Sequence, residues 1–312
     1  RRSALLLLLL ALRAPAEDEP KVRRVKGNGP PEKSIDVLFV AEGYTKRKAG
    51  KFAKDVERYS SRLLGEPPFS WYRDRFNISS VFVASEDEGC DLSPTAEKVS
   101  TLLQSHFDAP DGRLLVFKDR ERLAKLVRAA GAVDIVFVLV DTEKYGGAGT
   151  VLAEVEVRGR PLPAPTCSAQ DTRSFLIAIH ELGHSLADLA DEYTDPQCEP
   201  IYPIPGEGDL SSPNVTLPRC FDGSSYKALA GSVKWKHFLE LRGAERHVWV
   251  HEGGHYRDRG VFRPWPTCMM REHGQPYCPV CAEEVAKALS AACGEAWDDA
   301  AFHRAHPLSE WK

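Results

Sequence analysis

Apolar residues follow two different periods along this chain, and the change of period predicts where strands and helices lie. Continuous or alternating apolar runs predict strands at 35–40, 77–84, 113–117, 133–140 and 150–157. Apolar residues at helical spacing predict helices at 46–64, 95–107 and 121–130. Because strands alternate with helices, we expect an α/β (α+β) fold with a central sheet that is covered by helices.

The pattern changes in the second half of the chain. Proline, glycine and cysteine become frequent there, and the apolar periodicity fades until a helical stretch at 282–292. We therefore expect one two-lobed domain over 34–312. Its N-terminal lobe, about 34–187, would hold a mixed sheet with helices, and its C-terminal lobe, about 188–312, would be loop-rich.

The first residues have the features of a targeting segment. Two arginines precede an apolar run over 4–12, and an Ala-Pro-Ala triplet follows it. This order is typical of a secretory signal peptide, which we predict at 1–16. The apolar run is too short for a membrane span. The charged stretch at 17–33 is rich in proline and glycine and predicts a linker, so we expect a secreted, extracellular or periplasmic protein.

Composition narrows the function further. The net charge of the 312 residues is −4, and no basic cluster suggests a nucleic-acid partner. An even number of cysteines in an exported protein predicts disulfides that staple the C-terminal lobe, although the spacing leaves their pairing open. The eight cysteines are Cys90, Cys167, Cys198, Cys220, Cys268, Cys278, Cys281 and Cys293. The sequence also leaves the oligomeric state open.

The strongest candidate for chemistry is an H-E-x-x-H motif on a predicted helix that begins near Phe175. His180 and His184 would lie one turn apart on one face of this helix, as two ligands of a tetrahedral Zn²⁺ require. Glu181, beside them, is placed to act as the general base towards a water that the metal activates. The alternative is an ordinary core helix whose histidines are satisfied by neighbouring residues.

A second copy of the motif spans His251 to His255. Two glycines lie at its centre, and the residues before it favour extended structure. Off a helix the spacing does not bring two imidazoles to one ion. We therefore do not predict a second zinc helix here.

Several segments together resemble the IgA-peptidase family of secreted zinc metallopeptidases. They are HELGHSLADLADEY at 180–193, DVLFVAEGY at 36–44, FNISSVFVAS at 76–85, NVT at 214–216 with VKWK at 233–236, and CMMR at 268–271 with CPVC at 278–281. The resemblance runs from about residue 34 to 290. It implies a metzincin-like fold, endopeptidase activity towards a protein or peptide substrate, and a methionine turn beneath the zinc, which Met270 matches best.

The third zinc ligand departs from the metzincin pattern. Metzincins break the helix with glycine three residues after the second histidine and place the ligand three residues further on, and both positions hold alanine here. Asp191 would serve if the helix ends near Ala187. If the helix continues, Glu252 from the C-terminal lobe is the best alternative, followed by Glu192 and His255. Tyr193 and Tyr256 are candidates for a phenol that stabilises the oxyanion.

Two other functions compete with the zinc-peptidase hypothesis. Cys278 and Cys281 precede a helix, as in thiol-disulfide oxidoreductases, although the buried strand that such motifs follow is missing. A structural zinc on these cysteines would need two more ligands, which the spacing does not supply. The chain could also be a binding protein on a peptidase scaffold, but the presence of Glu181 argues against a dead site. For a peptidase, 146–157 could form an edge strand that pairs with extended substrate.

Overall fold

The computed structural model describes residues 20–108, 112–217, 231–241 and 248–311. Its strands are β1 Val22–Lys26, β2 Ile35–Glu42, β3 Phe76–Val81, β4 His106–Phe107, β5 Leu115–Val116, β6 Ile135–Val140, β7 Gly147–Ala148, β8 Val151–Val157, β9 Arg160–Pro163, β10 Thr166–Ser168, β11 His251–Gly254 and β12 Arg257–Arg263. Its helices are α1 Ala49–Leu63, α2 Arg120–Ala130, α3 Ser174–Ala187, α4 Lys236–Leu239, α5 Pro279–Ala292 and α6 Asp299–Ala305.

The central sheet has six strands in the order β1-β3-β2-β6-β10-β7. The four inner strands are parallel to one another, whereas β1 and β7 run antiparallel to them at the two edges. The sheet is therefore mixed, and the predicted α/β (α+β) class is confirmed. No helix in the described ranges is both long and apolar enough to cross a membrane.

Strand β6 shows why the sheet forms at the centre of the molecule. All six of its residues are buried, as expected for a parallel strand that is covered on both faces. Phe137 points into a core that includes Phe175 of α3 and Val285 of α5, whereas Val138 points into a core that includes Leu123 of α2. One face of the sheet thus packs against α3, and α3 carries the candidate site.

Two segments differ from the sequence predictions. The helix predicted over 95–107 is absent, because the buried carboxylate of Glu42 holds this segment in a loop. Glu42 Oε1 and Oε2 accept backbone hydrogen bonds from Ser105 and Leu103 at 2.9 and 2.8 Å. Strand β1 lies inside the predicted linker, where mostly exposed, charged residues hide an edge strand from any apolar pattern.

The remaining strands form small hairpins outside the central sheet. The stretch predicted as an edge strand divides into two parts, because β7 joins the edge of the central sheet while β8 pairs with β9. Strands β11 and β12 pair with each other, so the second H-E-x-x-H copy is extended, as predicted. The predicted helix near the C-terminus is α5.

The cysteines depart from the expectation of a disulfide-stapled lobe. Seven of the eight lie in the described ranges, and none of these seven forms a disulfide. Cys220 and the predicted signal peptide at 1–16 lie outside those ranges. Cys268, Cys278 and Cys281 instead lie close together around the buried carboxylate of Glu192.

Candidate active site

Helix α3 ends where the candidate ligands need it to end. Asp188 adopts the left-handed conformation, with φ 52° and ψ 28°, which aspartate tolerates better than most residues. The Leu189 amide then donates to the Gly183 carbonyl at 3.2 Å, which closes the last turn. The chain reverses one residue later than the metzincin glycine would place the break, and Asp191 follows three residues after Asp188.

This reversal brings three side chains together, here called the histidine cluster: His180, His184 and Asp191. Asp191 Oδ1 lies 2.9 Å from His180 Nε2 and 3.4 Å from His184 Nε2, and the two Nε2 atoms are 3.1 Å apart. Two ligand atoms about 2.1 Å from one tetrahedral zinc lie about 3.4 Å apart, so the spacing fits a shared ion. The side chains of His180 and Asp191 are buried, whereas that of His184 is 30% exposed.

Hydrogen bonds to backbone carbonyls orient both imidazoles. His180 Nδ1 lies 2.9 Å from the Met269 carbonyl, and His184 Nδ1 lies 2.6 Å from that of Leu189. Each carbonyl requires a proton on Nδ1, so in the neutral ring the Nε2 lone pair points into the cluster. Asp191 Oδ1 is buried without a hydrogen-bond donor. Three lone-pair atoms in contact repel one another unless a cation lies between them, so these residues fit a divalent metal.

The pKa values show the same need for positive charge. Burial lowers the pKa of both imidazoles, but the Asp191 carboxylate outweighs burial, so the pKa of His180 is raised and that of His184 is raised to about 9. Burial opposes ionisation of Asp191, yet the two imidazoles hold its pKa well below the usual range. Protons supply the positive charge when no metal is bound, and a metal would have to displace them.

Glu181 lies beside the cluster without ligating it. A Cβ placed on Gly149, just after the edge strand β7, would come within 2.0 Å of Glu181 Oε2. The carboxylate therefore occupies the space that a side chain at position 149 would fill. Burial raises the pKa of Glu181, as expected for a carboxyl group that accepts and returns a proton near neutral pH.

The segment that contains Met269 and Met270 packs under α3. A Cβ on Gly183, between the two histidines, would come within 2.6 Å of Met270 Sδ, so the missing side chain lets the thioether approach the helix. The Met270 carbonyl accepts the Glu192 amide at 2.7 Å. Met270 thus packs against α3 at Gly183, and its assignment to a methionine turn stays a prediction.

The other predicted site residues surround Asp191 in different ways. The Tyr256 hydroxyl donates to Asp191 Oδ2, and the His255 amide donates to the Asp191 carbonyl at 2.8 Å. The Tyr193 and Tyr256 rings are 5.4 Å apart at their centroids. Glu252 lies on β11 and accepts the Gly260 amide at 3.1 Å, away from the two histidines. The structure therefore brings Asp191, rather than Glu252, to the histidine pair.

Sequence reasoning missed His273, whose ring lies 4.9 Å from that of His180. Its Nδ1 is 3.4 Å from the Tyr145 hydroxyl, and burial lowers its pKa to about 4, so it is neutral at physiological pH. His273 follows Met270 by three residues, and only the position of the methionine segment against α3 could have indicated it. A neutral imidazole at this place can donate to or accept from a bound substrate.

Two comparisons with known proteins bear on the family of the chain. A search of curated proteins found no match. The family described as IgA Peptidase M64 matches residues 24–242, which include α3, Glu181 and the whole histidine cluster. Because this match covers more than half of the 312 residues, the chain belongs to the IgA peptidase M64 family.

Proposed function

We propose that this peptidase is a zinc-dependent endopeptidase whose metal is held by His180, His184 and Asp191. The observation that carries the proposal is the convergence of three lone-pair atoms, all within 4.8 Å of one another, at the end of one helix. When bound, zinc would supply a Lewis acid that polarises the scissile carbonyl and makes water acidic near neutral pH. One face of the cluster stays accessible, because the side chain of His184 is partly exposed.

The chain's own residues would divide the remaining work. Glu181, whose raised pKa suits a general base, accepts a proton from the attacking water and returns it to the leaving amine. Asp191 is kept in place by the Tyr256 hydroxyl and by the His255 amide. Because the Tyr256 hydroxyl is used in this contact, we assign Tyr256 to orienting the ligand. Tyr193 remains a candidate for stabilising the oxyanion.

The edge strand β7 offers a place for extended substrate. It pairs with β10 on one side, and on the other side the Gly147 amide already donates to the Arg113 carbonyl at 3.1 Å. Gly149, just after the strand, lies beside Glu181. A peptide that pairs with the backbone beyond this contact, at Ala148 and Gly149, would pass beside the base. We also propose that the protein is secreted, on the strength of the leader-like sequence at 1–16.

The thiol-disulfide alternative is not favoured by the position of its cysteines. Redox-active cysteines are partly exposed, because a substrate disulfide has to reach the sulfur. Cys278 and Cys281 are 2% and 0% exposed. A thiol buried in this way does not meet a protein substrate without large rearrangement.

A chelation experiment tests the proposed function. Purified protein is incubated with a peptide library, and cleavage is followed by mass spectrometry before chelation, after chelation and after zinc is returned. We expect internal cleavage that chelation abolishes and zinc restores. Cleavage that continues unchanged in metal-free protein would refute the zinc-dependent function.

A further inference from the structure

A second group of potential ligands lies directly behind the histidine cluster. Glu192, Cys268, Cys278 and Cys281, here called the cysteine cluster, are all buried, and their ligand atoms lie within 4.8 Å of one another. Glu192 immediately follows Asp191 in the chain, so neighbouring residues face two different clusters. The family match ends at residue 242, before any of the three cysteines.

The carboxylate of Glu192 is only partly satisfied. Its Oε1 accepts from Asn214 Nδ2 at 2.9 Å and lies 3.2 Å from Cys281 Sγ. Its Oε2 is buried without any hydrogen-bond partner, although Glu192 is 0% exposed. Leaving a buried carboxylate oxygen unpaired is strongly unfavourable unless a cation or a donor compensates.

Another buried carboxylate shows what compensation looks like in this molecule. Glu283 on α5 is also 0% exposed, but Lys287 Nζ lies 2.6 Å from its Oε1. Two histidines, His237 and His303, complete its surroundings. Glu283 therefore has its cation, whereas no lysine or arginine in the described ranges forms an ion pair with Glu192.

The three sulfurs are arranged as thiolates around a metal usually are. The Cys278 amide donates to Cys268 Sγ at 3.3 Å, and the Cys281 amide donates to Cys278 Sγ at 3.5 Å. Cys278 caps the fourteen-residue helix α5, whose N-terminal amides favour negative charge on sulfur. Amide donors that point at sulfur stabilise thiolates, so the backbone is organised for deprotonated ligands.

We propose that the cysteine cluster is a structural metal site, in which Cys268, Cys278, Cys281 and Glu192 bind one zinc ion. Thiolate sulfur and carboxylate oxygen are both zinc ligands, and four protein ligands complete a closed tetrahedral site. Sulfurs about 2.3 Å from one ion lie about 3.8 Å apart, which the observed convergence allows. The closed shell leaves no position for substrate, so the ion would serve folding rather than catalysis.

The position of the site gives it a second consequence. It would join three segments: the loop after α3, the segment before Met270 and the start of α5. The Glu192 backbone is already held by the Met270 carbonyl and by Arg271 Nη1, at 2.7 and 2.9 Å. An ion bound to Glu192 would therefore fix the neighbouring Asp191 in the histidine cluster. It would also stabilise the loop-rich region, as disulfides were expected to do.

Metal counting with matched variants tests this site separately from the catalytic one. Zinc per chain is measured in wild type, His180→Ala/His184→Ala, Cys281→Ser and Cys90→Ala, and X-ray absorption identifies the scattering atoms. We expect wild type and Cys90→Ala to hold two ions. We expect the histidine variant to keep one ion with sulfur at about 2.3 Å, and Cys281→Ser to keep one ion without sulfur neighbours.

Glu192→Gln provides a second variant in case Cys281→Ser does not fold. We expect it to weaken zinc binding at the cysteine cluster at least about tenfold, because it removes a ligand charge. A folded histidine variant that holds no metal would overturn the proposal, as would a disulfide among the three cysteines in non-reduced peptide maps. Failure of the proposed function looks different, because the wild type would then hold only sulfur-bound metal.

Discussion

The two clusters share a stretch of chain but differ in exposure and in donor type. Asp191 faces two imidazoles, one of which is partly exposed, whereas Glu192 faces three sulfurs that are all buried. Catalytic zinc sites keep an open position, and structural ones are closed by protein ligands. Two successive residues after α3 can therefore serve a catalytic and a structural site at once. Successive side chains of an extended segment point in opposite directions, so Asp191 and Glu192 reach different clusters.

We expect the largest effect on turnover from a change at Glu181, which belongs to neither cluster. In Glu181→Gln we expect turnover of peptide substrates to fall by about 10²–10⁴-fold, because the general base is lost. Both clusters should keep their metal. Steady-state kinetics with metal analysis checks this result, and Glu121→Gln, an exposed acid on α2, is the matched control. Turnover within tenfold of wild type would assign the proton transfer to another group.

The second prediction compares two acids, Asp191 and Glu252, as the third ligand of the histidine cluster. In Asp191→Ala we expect the affinity for the histidine-bound metal to fall more than about 100-fold, since losing a ligand costs more than losing an outer contact. Glu252→Ala should retain both metals, because Glu252 only accepts the Gly260 amide. Isothermal titration of metal-free protein measures both variants. If Glu252→Ala emptied the histidine cluster and Asp191→Ala did not, the third ligand would be wrongly assigned.

The third prediction concerns the space that Glu181 occupies. The methyl group of Gly149→Ala would overlap the Glu181 carboxylate and displace it by more than about 1 Å. A misplacement of about 1 Å can lower a rate about 100-fold. We expect turnover to fall by about that factor, with metal content unchanged. Gly50→Ala is the control, because nothing lies within 4 Å of the added methyl group. Equal rates for both variants would show that Glu181 has no fixed position.

The smallest expected effect is that of pH on the affinity for the metal of the histidine cluster. This is the metal that His180→Ala/His184→Ala would lack. The pKa of His184 in the metal-free protein is raised from 6.5 to about 9, so the metal has to displace a proton from this imidazole at any pH below about 9. We expect the apparent affinity to rise about tenfold for each pH unit up to about 9. Competition with a chromophoric chelator measures it, and an affinity independent of pH would contradict the assignment of His184.

The same raised pKa has a consequence for the metal-free fold. The charged pair of His184 and Asp191 stabilises the folded state fully below pH 6.5, and this contribution is lost as the pH rises through about 9. Zinc would replace the proton, so holoprotein should lack this loss. Thermal unfolding with and without metal across that range distinguishes the two states.

The sequence predicted the inner sheet and α3 because their signals are local. Strand β6 is a continuous apolar run, and the histidines of α3 need only helical spacing. The end of α3 was harder to predict, since it depends on Asp188 adopting a left-handed conformation that glycine adopts more readily. The helix expected at 95–107 was wrong because the buried Glu42 carboxylate, distant in sequence, binds that backbone.

The cysteine cluster shows the limit of spacing arguments most clearly. Cys278 and Cys281 form a local pair, but the remaining ligands come from positions 268 and 192. Glu192 lies in the motif that was already assigned to the other site, and only the fold shows that its side chain turns away from it. The expectation of disulfides followed from a count of cysteines, which carries no information about geometry.

Anomalous X-ray diffraction above the zinc edge, from crystals of active wild-type protein, tests the central claim most directly. That claim is that His180, His184 and Asp191 together hold the catalytic ion. We expect an anomalous peak about 2.1 Å from both Nε2 atoms and from an Asp191 carboxylate oxygen. A histidine cluster without any peak, in crystals whose dissolved protein still cleaves peptides, would contradict it.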